Sequence, residues 1–252
     1  MAPGIDTSVH LNGNANPFKP TSLSEGSGLV LEPTSVPIDS DFLKFEAATS
    51  QPLALDNTKP NSPLSALLVS SPYNEPGHLL DLATLDVPNR LFAKALTVLR
   101  PIRSDYATAP YEESLNWTTV LGTLQQLAET EHYQWKEQSF YVVIFRSKLN
   151  PSVDGELLRQ LDFESHGEAT SSGGLLKYWF GSPNAERRNL ATCLWRSKED
   201  ARKGGLGPWH KKARAAARDI YAEITFSSHR FTVGDGVATW SFEDWVEKVE
   251  SE

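Results

Sequence analysis

A single cysteine, Cys193, stands among 252 residues. An internal disulfide and a multi-cysteine zinc site are therefore excluded, which fits a reducing compartment. No run approaches the roughly 20 apolar residues of a membrane-crossing helix. The start of the sequence lacks the basic-then-apolar pattern of a secretory signal, and arginine is absent before Arg90, unlike a mitochondrial presequence. A cytoplasmic protein is expected, with the nucleus as the other option. A basic excess is missing too: the net charge is −8, of which residues 1–87 carry −7 and the remainder −1. Phosphate-backbone binding needs many clustered Lys and Arg, so nucleic acid is not an expected partner. Also absent are H-E-x-x-H, G-x-S-x-G, a Walker A loop and G-x-G-x-x-G after a strand. His166-Gly167-Glu168 matches the H-x-E of zinc deaminases but lacks the paired cysteines. Neither a nucleotide or flavin cofactor nor a metal site is expected.

What is present divides in two. Residues 1–87 are acidic and rich in Pro, Ser, Asn and Thr, with apolar bursts at Leu29–Leu31, Phe42–Phe45 and Ala66–Val69. Such composition buries too little apolar surface to offset the ordering entropy, so a largely irregular arm is expected. It reads either as a partner-binding tail or as a tolerated extension. Residues 88–252 read as the folded domain. Leu91–Leu99, with its Val and Thr closed by Pro101, suggests a strand. Ser114–Glu131 places Trp117, Val120, Leu121, Leu124 and Ala128 on one helical face.

From residue 139 to 233 the pattern is β-α-β-β-α-β. Ser139–Arg146 is apolar nearly throughout, as in a strand buried on both faces. A helix capped by Asp154 runs to Thr170, and Gly173-Gly174 ends it. Leu175–Phe180 and Leu190–Arg196 are strands about the Gly181–Asn184 turn. A glycine loop leads to Pro208, which suits the first turn of a helix reaching about Glu223. Ile224–Val233 is the fourth strand, and Gly234-Asp235-Gly236 then turns Val237–Trp240 back as a hairpin. The fold class is α+β: a ferredoxin-like antiparallel sheet with both helices on one face, extended by N-terminal elements. The uncovered apolar face needs either a second subunit or those elements over it.

The segments FYVVIFRSKLNP, LDFESHGEA, SSGGLLKYWFG, RRNLATCLWRS and GPWHKKA, with Asp219-Ile220-Tyr221, resemble an uncharacterised protein family of fungi over about residues 88–233. The pattern also resembles the dimeric α/β-barrel superfamily. That group includes cofactor-independent monooxygenases, polyketide cyclases, dehydratases, some haem-binding enzymes and stress-response proteins. The resemblance implies a homodimer, and fold alone does not choose among these chemistries.

Candidate site residues come from the densest group of Trp, Tyr, His and Arg. Asp162 and His166 lie four apart on one helix, so the carboxylate could fix the imidazole tautomer and leave a base; a solvent-exposed ion pair is the other reading. His210 opens the second helix as a possible base or a capping histidine. If haem bound, His166 or His210 would be its ligand. Tyr178 and Phe180 share one sheet face, Lys177 and Trp179 the other, and Cys193 shares a face with Trp195. Tyr178, Trp179, Trp195, Trp209 and Tyr221 could line a pocket for a flat apolar ligand, or be core. Arg188 belongs to a basic stretch over residues 187–218, read as substrate-facing or as a solvated face. The expected function is binding or transformation of a small apolar or aromatic molecule between sheet and helices. The alternative is a non-catalytic stress-response or interaction protein that uses its arm.

Overall fold

The computed structural model describes residues 66–246. The expected irregular arm, read as a partner-binding tail or a tolerated extension, falls mostly outside them, on residues 1–65. Its last part does not: residues 66–87 belong to the packed structure. Strands β1 (Leu67–Leu68) and β2 (Leu80–Asp81) pair antiparallel, and Leu68, Leu80, Leu82 and Leu85 enter the main core. These leucines are too widely spaced to read as an element, which is why the stretch resembles the arm before it.

The expected strand at Leu91–Leu99 is instead helix α1 (Val87–Ala95), followed by a 3-10 turn over Leu96–Val98. The Asp86 side chain caps it by accepting from the Asn89 amide, and Pro88 lies in its first turn. Leu91, Phe92, Ala95 and Leu96 are buried at helical spacing, while the β-branched Thr97 and Val98 fall at the helix end. Cap and period outweighed their strand propensity. A single turn α2 (Tyr111–Ser114) precedes α3 (Trp117–Thr130), which buries the face expected of it.

Strand β3 (Gln138–Leu149) leads to α4 (Gly155–Ser172), with Asp154 as its N-cap, then β4 (Leu175–Phe180) and β5 (Arg188–Trp195). The short helix α5 (Lys198–Gly204) lies in a charged stretch where no element was expected and takes up the first residue of the expected glycine loop; Ser197 caps it, with acids in its first turn and bases in its last. Helix α6 (Pro208–Ile220) passes directly into β6 (Tyr221–Val233). The helix thus ends three residues earlier than expected, and residues 221–223 begin the strand. The hairpin forms later than expected, as β7 (Trp240–Asp244).

The sheet is antiparallel in the order β4-β5-β3-β6-β7. Its first four strands give the ferredoxin-like topology, and β7 extends one edge. One face carries Phe140, Val142, Ile144, Trp179, Leu194 and Phe231; it packs on α1 and α3 through Phe92, Leu96, Trp117 and Leu124. The chain's own N-terminal elements are thus the cover that this face required. The opposite face carries Val143, Phe145, Tyr178, Cys193 and Trp195 toward α4, α5 and α6. The result is three layers: helices, sheet, helices. No helix among the described residues is long and apolar enough to cross a membrane.

Candidate functional site

Between the second sheet face and α6 lies a cavity of ≈ 410 Å³. The sheet contributes Val143, Phe145, Cys193, Trp195, Ile224 and Phe226. The helices contribute Leu161, Ala201, His210, Ala213, Arg214, Ala217 and Ile220, and Tyr221 closes the end where α6 becomes β6. The alanines of α6 make the space, because small side chains hold the helix surface away from the aromatics opposite. The cavity opens along β6, where Ile224 is 40 % and Phe226 77 % exposed.

His210 is the imidazole on this wall. Its Nδ1 lies 2.9 Å from Glu168 Oε2, and the same carboxylate accepts from the Trp209 amide at 2.6 Å and the His210 amide at 3.1 Å. Glu168 therefore caps the start of α6 and tethers its histidine together. Gly207 permits the approach, since a Cβ there would overlap the Glu168 carboxylate. Burial pushes Glu168 upward, but these bonds outweigh it and hold the carboxyl below its ordinary value. Burial lowers His210, against a partial lift from Glu168, and keeps the ring neutral at pH 7. With Nδ1 turned to the carboxylate, Nε2 is the remaining basic nitrogen. Cys193 is pushed up to about 12 by burial, so it stays a thiol and not a nucleophile.

Asp162 and His166 do not bond to each other, and neither is an exposed ion pair; both are fully buried. Asp162 accepts hydrogen bonds from Tyr178 Oη at 2.6 Å and from the Tyr73 hydroxyl. His166 Nδ1 meets His78 Nδ1 at 2.8 Å, one ring donating and the other accepting. Burial, then the nearby His78 and His210, lower His166 to about 3. Tyr73 and His78 come from the segment between β1 and β2, which binds the β4 edge where the Tyr178 amide donates to Ser70 O at 2.9 Å. That segment then folds over α4, with the His78 ring 4.0 Å from Phe163.

The nine sequence candidates thus separate. His210, Trp195 and Tyr221 line the cavity. Asp162, His166 and Tyr178 form the buried cluster with Tyr73 and His78. Trp179 is on the other sheet face, edge-on to Tyr106 at 5.6 Å. Arg188 is at the sheet end, paired with Glu223 at 2.9 Å and with Glu186. Trp209 packs in the α4–α6 contact under Lys212, whose Nζ lies 3.6 Å from its ring centroid. Glu168, Tyr73 and His78 were missed. Glu168 had a signal in the sequence, a carboxylate on the helix facing Gly207-Pro208, whereas the other two had none. Among the described residues no group of three or more His, Cys, Asp or Glu could hold a metal ion.

Residues 69–244 match the family described as PB2B2.08-like. UPF0643 protein PB2B2.08 of Schizosaccharomyces pombe is 37% identical over 180 residues, covering 69% of this chain and 82% of that protein. Among solved structures, Rv0793 from Mycobacterium tuberculosis aligns at 16% identity and a TM-score of 0.32, over 35% of this chain and 91% of that one. SnoaB, a cofactor-independent oxygenase from Streptomyces nogalater, aligns at 9% and 0.29, over 35% of this chain and 90% of its own. A dimeric ferredoxin-like protein of unknown function from Thermobifida fusca aligns at 14% and 0.29, over 38% and 97%. The fold assignment rests on the strand order above, not on these scores.

Proposed function

The chain belongs to the PB2B2.08-like family of fungal proteins, and because that membership carries no reaction, we propose from the cavity itself that it binds a small apolar or aromatic molecule between sheet and helices. The observation that carries this reading is the ≈ 410 Å³ space walled by Val143, Phe145, Trp195, Leu161 and Ile220, with His210 set into that wall. Its size and apolar lining with few polar groups are those of a small-molecule site. Glu168 fixes the His210 tautomer, and Nε2 is the base that would take a proton from a bound substrate. No nucleotide cofactor enters this chemistry. Asp162, His166 and Tyr178 act one layer behind, holding α4 and β4 in place. A homodimer belongs to this reading, with its contact on a surface other than the sheet face already covered by α1 and α3.

Native mass spectrometry of protein purified from its own source tests the reading and reports the subunit count at once. A retained small apolar molecule, lost when Ala217→Trp fills the cavity, is the expected result. His210→Gln should retain that molecule and abolish its turnover. A ligand held equally by wild type and Ala217→Trp would place binding elsewhere and end the proposal.

A further inference from the structure

The charges around the cavity narrow the class of molecule it takes. Among the described residues Arg214 is the one lining side chain with a cationic head. His210 is neutral, Cys193 is a thiol, Tyr221 is a phenol, and the other lining residues are apolar or glycine. The Arg214 guanidinium is steered to the α5–α6 side of the opening, where Nη1 donates to Gly205 O at 2.9 Å. A guanidinium has five N–H donors in a planar fork, so one bond to a carbonyl leaves most of the fork for another acceptor. Lys211 and Arg218, three residues before and four after, stand on the same ridge of α6 and are exposed. Among the described residues no carboxylate lines the cavity. The one beside it, Glu168, is already engaged by two amides and the His210 ring.

Resting on the cavity reading above, we infer that the ligand is an amphipathic organic acid, whose apolar body fills the space between Phe145, Trp195 and Ile220 while its carboxylate is held at the mouth by Arg214. An apolar wall with one cation at its rim rewards that combination twice. The body leaves water, and the carboxylate meets a charged fork beside a low-dielectric surface where water competes less. The geometry also orients the ligand. Anchored at Arg214, its interior end lies against the sheet, and the first atoms beyond the carboxylate pass His210, one helical turn earlier on α6.

A matched pair separates the anchor from the cavity: 1-pyrenebutyric acid and 1-pyrenebutanol, with one ring system and chain and different ends. Isothermal titration of the full chain should show the acid binding about tenfold tighter than the alcohol, the scale of one charge-assisted bond at a partly wet site. Arg214→Gln should bring the acid down to the alcohol and leave the alcohol unchanged. Arg214→Lys should keep part of the preference, as a point charge without the fork. Ala217→Trp should block both compounds. Equal binding of acid and alcohol to wild type, with both blocked by Ala217→Trp, would overturn the acid anchor and leave the cavity reading standing. A preference that survives Arg214→Gln but is lost in Lys211→Gln would overturn the assignment to Arg214. Failure of both compounds to bind, or binding that ignores Ala217→Trp, would remove the cavity reading itself.

Discussion

Glu168 accepts from the Trp209 and His210 amides and from the His210 ring, and Gly207 leaves the space for it. Glu168→Gln keeps the shape and removes the charge. Because the carboxylate partly lifts His210 against burial, its loss should move the His210 titration further below 6.5. Histidine-selective NMR reads this directly, and an unchanged or higher value would refute the tether. The three buried imidazoles also set an acid limit. Burial lowers His78, His166 and His210 from the ordinary 6.5, and His166 falls to about 3. An imidazole whose folded value is depressed lets the unfolded chain bind more protons below pH 6.5, so stability is complete above that value and is lost as pH falls toward the folded one. Depressed carboxylates such as Glu168 and Glu131 begin to cost stability only below their ordinary 4.5. Between those two values the slope belongs to histidine. His166→Gln should reduce it by up to about 1.4 kcal/mol per pH unit. Urea unfolding at intermediate pH checks this, and an unaltered slope would mean that His166 is not buried as neutral imidazole. Spacing could show that Asp162 and His166 share a helix face. Their partners, Tyr73 and His78, lie 89 and 88 residues upstream, and no local pattern points that far.

At the scale of elements, the period of a segment was readable and its edges depended on chemistry. β4 was legible to the residue because Gly173-Gly174 and the Gly181–Asn184 turn bound it. α4 was legible because Asp154 caps it. α1 was misread because Thr97 and Val98 weighed more in a short window than the Asp86 cap did. α5 carries no apolar period, and its signal lies only in the Ser197 cap and the ordered acids and bases of a charged run. The segment between β1 and β2 has no period at all and is held by the Ser70 carbonyl on β4 and by the side chains of Tyr73 and His78. Tyr73 and Tyr178 both donate to Asp162, so the bonds are coupled through one carboxyl group. Tyr73→Phe should cost about 1 to 3 kcal/mol, the range for a buried acceptor left short of a donor. Combined with Tyr178→Phe, the two losses should differ from their sum by at least about 0.5 kcal/mol. Thermal denaturation of the two single variants and the double variant completes the cycle, and strict additivity would show that the hydroxyls do not share Asp162. Hydrogen exchange should quicken across residues 70–79 in Tyr73→Phe, while β3 stays protected.

The described residues form a ferredoxin-like sheet whose face opposite the cavity is covered from within its own chain. Phe140, Val142, Ile144, Trp179, Leu194 and Phe231 are each no more than 4% exposed because α1 and α3 lie on them. Arg146 secures the loop before α2 by donating to Ala107 O at 2.6 Å and Ala109 O at 2.5 Å, and Tyr111 Oη meets Thr192 Oγ1 at 2.8 Å. The covering layer is therefore keyed to the sheet by polar contacts as well as by apolar area. Six large apolar side chains on adjacent strands form a patch beyond the few hundred Å² that a soluble monomer leaves open. A chain reduced to residues 134–246 should for that reason pair through this face or precipitate, although its four-stranded topology is complete. Light scattering coupled to size exclusion distinguishes the outcomes. A species larger than the assembly of the intact chain is expected, and adding back residues 66–133 as a separate polypeptide at a 1:1 ratio should return it to that assembly. A soluble monomer of residues 134–246 with intact near-ultraviolet circular dichroism would show that the sheet face tolerates water. In that case α1 and α3 would owe their place to function and not to the need for cover.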